Sequence, residues 1–143
     1  MQTGIAVGAA SILVPEVEFD IERDVIARIL ANQSTGKKHF IIVVAEGVGK
    51  VEELATYIQN RTGIESRATI LGHVQRGGSP TLRDRVVASE MGYKAVTLLE
   101  NDIGNRVVAM KNGVIVDYDI TEALDMPRVF NKELYDIAHT ISI

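Results

Sequence analysis

The run Phe40-Ile41-Ile42-Val43-Val44-Ala45 decides the fold class, because it is continuous, apolar and rich in β-branched side chains. Such a run is typical of a strand buried on both faces of a parallel sheet. Upstream of it, Ser11-Ile12-Leu13-Val14 ends at Pro15 and predicts a first strand. Between the two runs, Asp20 predicts a helix start. The apolar positions that follow Asp20 at helical spacing are Ile21, Val25, Ile26, Ile29 and Leu30.

Downstream of the central run, the strand–helix alternation continues. Val51 to Asn60 has one apolar face and is followed by Gly63, a residue type that commonly ends helices. Arg67 to Leu71 predicts a third strand. Ser79-Pro80 predicts a helix start, with a cap residue before a proline at the first helical position, and this helix extends to about Leu99.

The two ends of the chain add a helix tail and a hairpin. Met1 to Ala10 is small and apolar and leads into the first strand without a cap, as the end of a longer helix would. Near the other end, two strand-like runs, 106–111 and 114–120, flank Asn112-Gly113, which is a strong hairpin signal. Glu133 to Ile141 has the pattern of an amphipathic helix. The sequence predicts an α/β fold with a largely parallel sheet, followed by a C-terminal β-hairpin and helix.

Composition fits a single domain over residues 1–143, with 46% hydrophobic and 24% charged residues. The net charge of −4 argues against a general nucleic-acid-binding protein. No apolar run approaches the roughly 20 residues that span a membrane, and the first residues lack a signal-peptide pattern. Without cysteine, a disulfide scaffold and a thiolate metal site are excluded, and His39, His73 and His139 are too scattered to predict a metal site. We expect a cytoplasmic protein.

Two loops follow the carboxyl ends of predicted strands, where open parallel sheets bind ligands. The first, residues 45–49, carries Glu46, whose carboxylate needs a partner at the end of an apolar strand. A sugar hydroxyl, a metal ion, a helix cap or a salt bridge would each supply one. The sequence Gly47-Val48-Gly49-Lys50 is not a complete nucleotide-phosphate loop, because Val44 and Val51 stand where that motif needs glycine and a hydroxyl.

The second loop, residues 72–80, has the residue types that bind phosphate. Gly77-Gly78 lets the backbone approach a ligand, and the helix predicted after it would present free N–H groups. Arginine fits phosphate with two parallel hydrogen bonds. The basic residues clustered around this loop are Arg67, His73, Arg76, Arg83 and Arg85. The pattern predicts a phosphate or sugar-phosphate site, with an ordinary glycine-containing loop as the alternative.

The stretch from Arg67 to Pro80, RATILGHVQRGGSP, with Asp84-Arg85 after it, resembles the signature of 6-phosphofructokinases. Four other segments resemble the short bacterial form in order and spacing, namely 12–16, 36–39, 44–47 and the hairpin end at 117–120. The resemblance covers nearly the whole chain. It implies half of that family's three-layer sandwich, namely the C-terminal, fructose 6-phosphate-binding part, with the ATP-binding part upstream.

The resemblance also implies roles for individual residues. Those implied for fructose 6-phosphate binding are Glu46, Arg67, His73, Val74, Gln75 and Arg76. Those implied for the allosteric effector site are Gly8, Lys37, Lys38 and His39. Thr35 and Ala10 depart from the family, which has lysine and glutamate there, so we expect weak effector control.

The implied activity is transfer of the ATP γ-phosphate to fructose 6-phosphate with Mg²⁺, in a homotetramer in which Arg67 reaches a neighbouring subunit's site. The family's ATP loop, catalytic aspartates and magnesium ligands lie upstream. We therefore expect no catalytic or metal-binding residue in this chain, no binding of ATP or Mg²⁺, and no kinase activity from it alone. Two alternatives remain open: pyrophosphate as the donor, and a non-catalytic sugar-phosphate-binding module.

Overall fold

The structure is a computed structural model that describes residues 1–127 and 129–141. The chain divides into two compact units, one made of Met1–Leu71 with the segment from Phe130 onward, the other of Gly72–Val129. The elements in chain order are α1 (Gln2–Ala6), β1 (Ser11–Leu13), a π-helical turn (Glu22–Ile26), α2 (Ala27–Ser34), β2 (Ile42–Val44), a 3-10 turn (Glu46–Val48), α3 (Val51–Thr62), a 3-10 turn (His73–Arg76), α4 (Leu82–Glu100), β3 (Arg106–Lys111), β4 (Val114–Asp119), α5 (Ile120–Asp125) and α6 (Lys132–Ile141).

In the first unit, β1 and β2 pair in parallel, with Ile12 opposite Val43, which confirms the predicted strand–helix–strand unit. Successive side chains of a strand point to opposite faces. Accordingly, Leu13 packs with Val25, Ile26, Ile29 and Ile58, whereas Ile12 packs with Ala9, Val14 and Ala138. β1 is therefore buried on both faces. The expectation of full burial is wrong for β2, whose three residues are only half-buried.

The helix between these strands begins where the sequence predicts. The backbone N–H of Arg23 donates to Asp20 Oδ1 over 2.7 Å. The first turn is π-helical, and the N–H of Ala27 donates to the carbonyl of Glu22, five residues back. Leu30, which was predicted on the buried face, is 44% exposed, because α2 packs on the core through Ile29.

The next helix, α3, ends as predicted at Gly63, which adopts a left-handed conformation with φ of 72°.

The predicted third strand is wrong. Residues 65–71 form neither strand nor helix, and Ile70 and Leu71 are 69% and 62% exposed. A strand requires a neighbouring backbone to complete its hydrogen bonds, and this segment has no strand pairing in the described residues. The α/β class holds, but the described sheets are one parallel and one antiparallel pair. The three-layer sandwich stays a prediction.

The second unit contains the 3-10 turn His73–Arg76, α4, the β3–β4 hairpin and α5. The hairpin forms as predicted, with Asn112 and Gly113 at φ of 52° and 80°, the left-handed geometry that a two-residue turn requires. Asp117 joins it to α4, accepting from Lys94 Nζ at 2.9 Å and Arg106 Nη2 at 2.6 Å. Both hydrogen bonds lower the pKa of Asp117, and the one from Lys94 has the larger effect. None of the described helices is long and apolar enough to span a membrane.

Candidate functional site

Glu46 lies just beyond the carboxyl end of β2, at the start of a 3-10 turn. The turn is closed by hydrogen bonds from Val48 N to Ala45 O and from Gly49 N to Glu46 O. A Cβ on Gly47 would lie 3.0 Å from Pro15 Cγ, so glycine here lets the loops after β1 and β2 come together. Glu46 itself is exposed. Solvent therefore hydrates its carboxylate, and the burial penalty expected from the sequence does not arise.

Arg67 lies in the irregular segment 65–71, which stands where the third strand was predicted. Its Nε and Nη2 both donate to Glu65 Oε1, at 3.0 and 2.7 Å. The side chains of Arg67 and Glu65 are 83% and 71% exposed. The two charges are in direct contact at the protein surface. The guanidinium is thus accessible to a ligand but already paired with a carboxylate.

The second unit contains the other four predicted ligands, His73, Val74, Gln75 and Arg76, in a single exposed 3-10 turn. Hydrogen bonds from Gln75 N to Gly72 O and from Gly77 N to Val74 O hold this turn. Gly77 has φ of 103°, where a side chain would strain the backbone. The imidazole, amide and guanidinium groups are therefore available in one short segment, as an anionic sugar would require.

The start of α4 corrects one part of the predicted phosphate site. The cap is Thr81 rather than Ser79: Thr81 Oγ1 accepts from Asp84 N, and Asp84 Oδ2 accepts from Thr81 N. This reciprocal capping box occupies two of the N–H groups expected to face the ligand. The hydrogen bonds from Thr81 lower the pKa of Asp84. The helix start thus already holds the negative charge of Asp84. The groups that remain to bind an anion there are the cationic side chains.

The predicted ligands are divided between the two units: Glu46 and Arg67 belong to the first, and residues 73–76 to the second. Two carboxylate contacts in these segments were not expected from the sequence: Glu65 pairs with Arg67, and Asp84 with Thr81. A signal existed for each. Thr81-Leu82-Arg83-Asp84 has capping-box spacing, and Glu65 stands two residues before Arg67, the first residue of the predicted third strand.

The predicted effector residues lie in the first unit. Lys37 and Lys38 line a surface hollow of about 340 Å³ with Gln33, Gly36, Phe40 and Ile64. Lys37 Nζ lies 5.9 Å from the centre of the Phe40 ring, His39 is exposed, and Gly8 has φ of 61°. Thr35 and Ala10 are the two residues that depart from the family pattern. The Thr35 hydroxyl donates to Asn32 O at 2.8 Å, and Ala10 is fully buried.

The segment that resembles the end of a nucleotide-phosphate loop does not have that geometry. Lys50 has φ of 46° and precedes α3, and its Nζ donates to Glu53 at 3.2 Å. Across residues 1–127 and 129–141, no three histidine or carboxylate side chains are gathered as metal ligands.

Comparison with known proteins identifies the family. The model of the phosphofructokinase family matches residues 1–99, a span that contains all six predicted sugar-phosphate ligands. The chain belongs to the phosphofructokinase family. The ATP-dependent 6-phosphofructokinase of Clostridium botulinum strain Hall is 53% identical to it over 142 residues. That of Clostridium acetobutylicum is 51% identical over 140 residues.

These relatives are longer than the chain. The alignments cover 99% and 98% of this chain but 44% of each relative. The chain therefore spans less than half the length of the curated phosphofructokinases it matches. The relationship confirms the resemblance that the sequence analysis found over nearly the whole chain.

Proposed function

We propose that this chain is the fructose 6-phosphate-binding part of an ATP-dependent 6-phosphofructokinase, which transfers the ATP γ-phosphate to fructose 6-phosphate to give fructose 1,6-bisphosphate. The observation that carries the proposal is the identity of 53% over 142 residues to a protein named for that reaction. The relatives' names favour ATP over pyrophosphate as the donor. We place the protein in the glycolytic pathway and in the cytoplasm.

The proposed roles follow from the chemistry of each side chain. Arg67 and Arg76 would pair with the substrate's phosphate, because a guanidinium donates two parallel hydrogen bonds to such an oxyanion. His73 would add a donor from the same turn as Arg76. Glu46 would accept hydrogen bonds from sugar hydroxyls, which its exposed position allows. Val74 and Gln75 would complete the surface around the ligand. In these roles the residues would bind and orient the sugar, and none of them would perform the chemical step.

The phosphoryl transfer itself requires groups beyond these residues. Phosphofructokinases need Mg²⁺ to neutralise charge on the transferring phosphate. The described residues do not fit that ion, since no suitable group of carboxylates is gathered among them. We propose that the catalytic aspartates and the ATP site belong to a part of the enzyme outside residues 1–143, and that these residues alone have no kinase activity.

We further propose a homotetramer in which Arg67 serves a site on a neighbouring subunit. Hybrid tetramers test this, formed by mixing Arg67→Ala subunits with subunits inactivated in the catalytic part. A shared site predicts partial activity in the hybrids, whereas sites built from single chains predict none.

The central test is turnover by the protein encoded by the complete gene. ADP formation that depends on fructose 6-phosphate and Mg²⁺ is the expected result, with pyrophosphate as the alternative donor in a parallel assay. Residues 1–143 purified separately should show no turnover. Activity with pyrophosphate only would overturn the choice of donor, and binding of the sugar without turnover by the complete protein would indicate a non-catalytic module.

A further inference from the structure

The Glu65–Arg67 pair has a consequence for how an anion reaches Arg67. The guanidinium uses its Nε–Nη2 edge to hold a single carboxylate oxygen, at 3.0 and 2.7 Å. That edge is one of the two with which arginine can bind phosphate through two parallel hydrogen bonds. A phosphate that binds there must displace Glu65, and a phosphate that binds the other edge lies beside a like charge.

The geometry points to Glu65 as an internal competitor for the anion site, which lowers the affinity of Arg67 for phosphate and selects for ligands of higher charge. This inference rests on the proposed function, because it assumes that Arg67 binds the sugar phosphate. Glu65 would not touch the substrate in the bound state. A ligand binds the guanidinium only if its attraction to Arg67 exceeds that of the Glu65 carboxylate.

Charge accounts for the selectivity. A carboxylate has one negative charge, whereas a sugar phosphate near neutral pH has between one and two. A dianion therefore competes well with Glu65 for the arginine, and a monoanion such as chloride competes poorly. Both side chains are largely exposed, so solvent and salt screen their attraction. The pair is thus weak enough for a substrate to open.

The substitution Glu65→Gln in the full-length enzyme tests this role, since it keeps the size of the side chain and removes its charge. We expect the KM for fructose 6-phosphate to fall about two- to five-fold at low ionic strength, the range set by exposed ion pairs. The value of kcat should not change, and the difference should vanish at high salt. Chloride should inhibit the variant at lower concentrations than it inhibits the wild type.

The matched control is Glu53→Gln, which removes the same charge from an exposed pair with Lys50 in the same unit. It should leave KM unchanged. An equal fall in KM for this control would mean that net charge alone acts, and would overturn the assignment. An unchanged or raised KM in Glu65→Gln would also overturn it.

The Arg67→Ala background separates this inference from the proposed function. Arg67→Ala should raise KM, and adding Glu65→Gln to it should then have no effect. If Arg67→Ala itself leaves KM unchanged, the assignment of Arg67 to the substrate site fails. If Arg67→Ala raises KM but Glu65→Gln still lowers it in that background, only the competitor role fails.

Discussion

The ring of His139 lies 4.2 Å from the ring of Tyr135, centroid to centroid, on the helix whose Ala138 packs against β1. Its Nε2 is buried and has no hydrogen-bond partner in the described part of the chain. Arg28 Nη1 donates to the backbone carbonyl oxygen of His139 at 3.2 Å. The imidazole is therefore half-buried, with the ring of Tyr135 beside it and Arg28 bonded to the backbone of the same residue.

We expect the environment of His139 to lower the stability of the fold as the pH falls. Burial, and then Arg28, lower the pKa of His139, against opposing effects of Asp24, Asp136 and the Ile12 backbone. Because the unfolded chain binds the proton more readily, unfolding is favoured as pH falls below about 6.5. The measurement is the melting temperature between pH 7.5 and 5.5. His139→Gln should flatten this dependence, and His39→Gln, at an exposed position, should not. An unchanged slope in His139→Gln would contradict the prediction.

The Thr81–Asp84 capping box should stabilise α4 measurably. Thr81→Ala removes a side chain that accepts from Asp84 N, and loss of such a cap costs about 1 kcal/mol of unfolding free energy. Urea denaturation measures the change. Thr97→Ala is the matched control, because Thr97 Oγ1 bonds only to Tyr93 O on the exposed helix surface, and such a change costs within about 0.5 kcal/mol. Equal effects of the two substitutions would rule out a special role for the cap.

Arg76→Ala in the full-length enzyme should weaken sugar-phosphate binding and spare the nucleotide. A hydrogen bond to a charged group contributes about 1.5–3 kcal/mol, so the KM for fructose 6-phosphate should rise about 10- to 150-fold. The KM for ATP should stay nearly unchanged. Steady-state kinetics with each substrate varied in turn measures both. Lys111→Ala, which removes an exposed positive charge from the same unit but outside this basic cluster, serves as the control, and a loss of nucleotide affinity in Arg76→Ala would contradict the assignment.

Effector control by phosphoenolpyruvate should be weak. Lys37 and Lys38 still line the hollow, but the Thr35 hydroxyl is bonded to Asn32 and Ala10 is fully buried. Allosteric coupling usually changes affinity about 5- to 150-fold, and we expect less than about five-fold here. Substrate saturation with and without phosphoenolpyruvate tests this. Thr35→Lys should strengthen the response, and a large sigmoidal shift in the wild type would show that the departures do not matter.

The parts of the fold that the sequence predicts are those set by local signals. Asn112-Gly113 specifies its turn by conformational preference, Gly63 ends α3 for the same reason, and β1 is recognisable as an apolar run. The segment 67–71 has strand-like composition too, but a strand depends on a distant partner that composition does not reveal. At α4, Ser79-Pro80 and Thr81-Asp84 are competing start signals, and the reciprocal hydrogen bonds decide for Thr81.

The candidate site was predictable in its residue types and less so in its electrostatics. The motif from Arg67 to Arg76 names candidate ligands by family resemblance, and four of the six candidates lie in one 3-10 turn. The pairing of Arg67 with Glu65 and the placement of Asp84 at a helix start depend on side-chain geometry, which a list of charges does not contain. The exposure of Glu46 likewise follows from the loop geometry rather than from its position after an apolar strand.

The π-helical turn at Glu22–Ile26 also bears on how this region can change in length. A π turn holds one residue more than an α turn within the same hydrogen-bonded frame, so it is equivalent to a single-residue insertion absorbed within a helix. Removal of one residue between Asp20 and Ala27 would let the turn rewind as ordinary α-helix while Ile29 keeps its place against β1. Relatives one residue shorter at this point could therefore retain the same core, and an alignment gap there would mark a change of helical pitch rather than a lost loop.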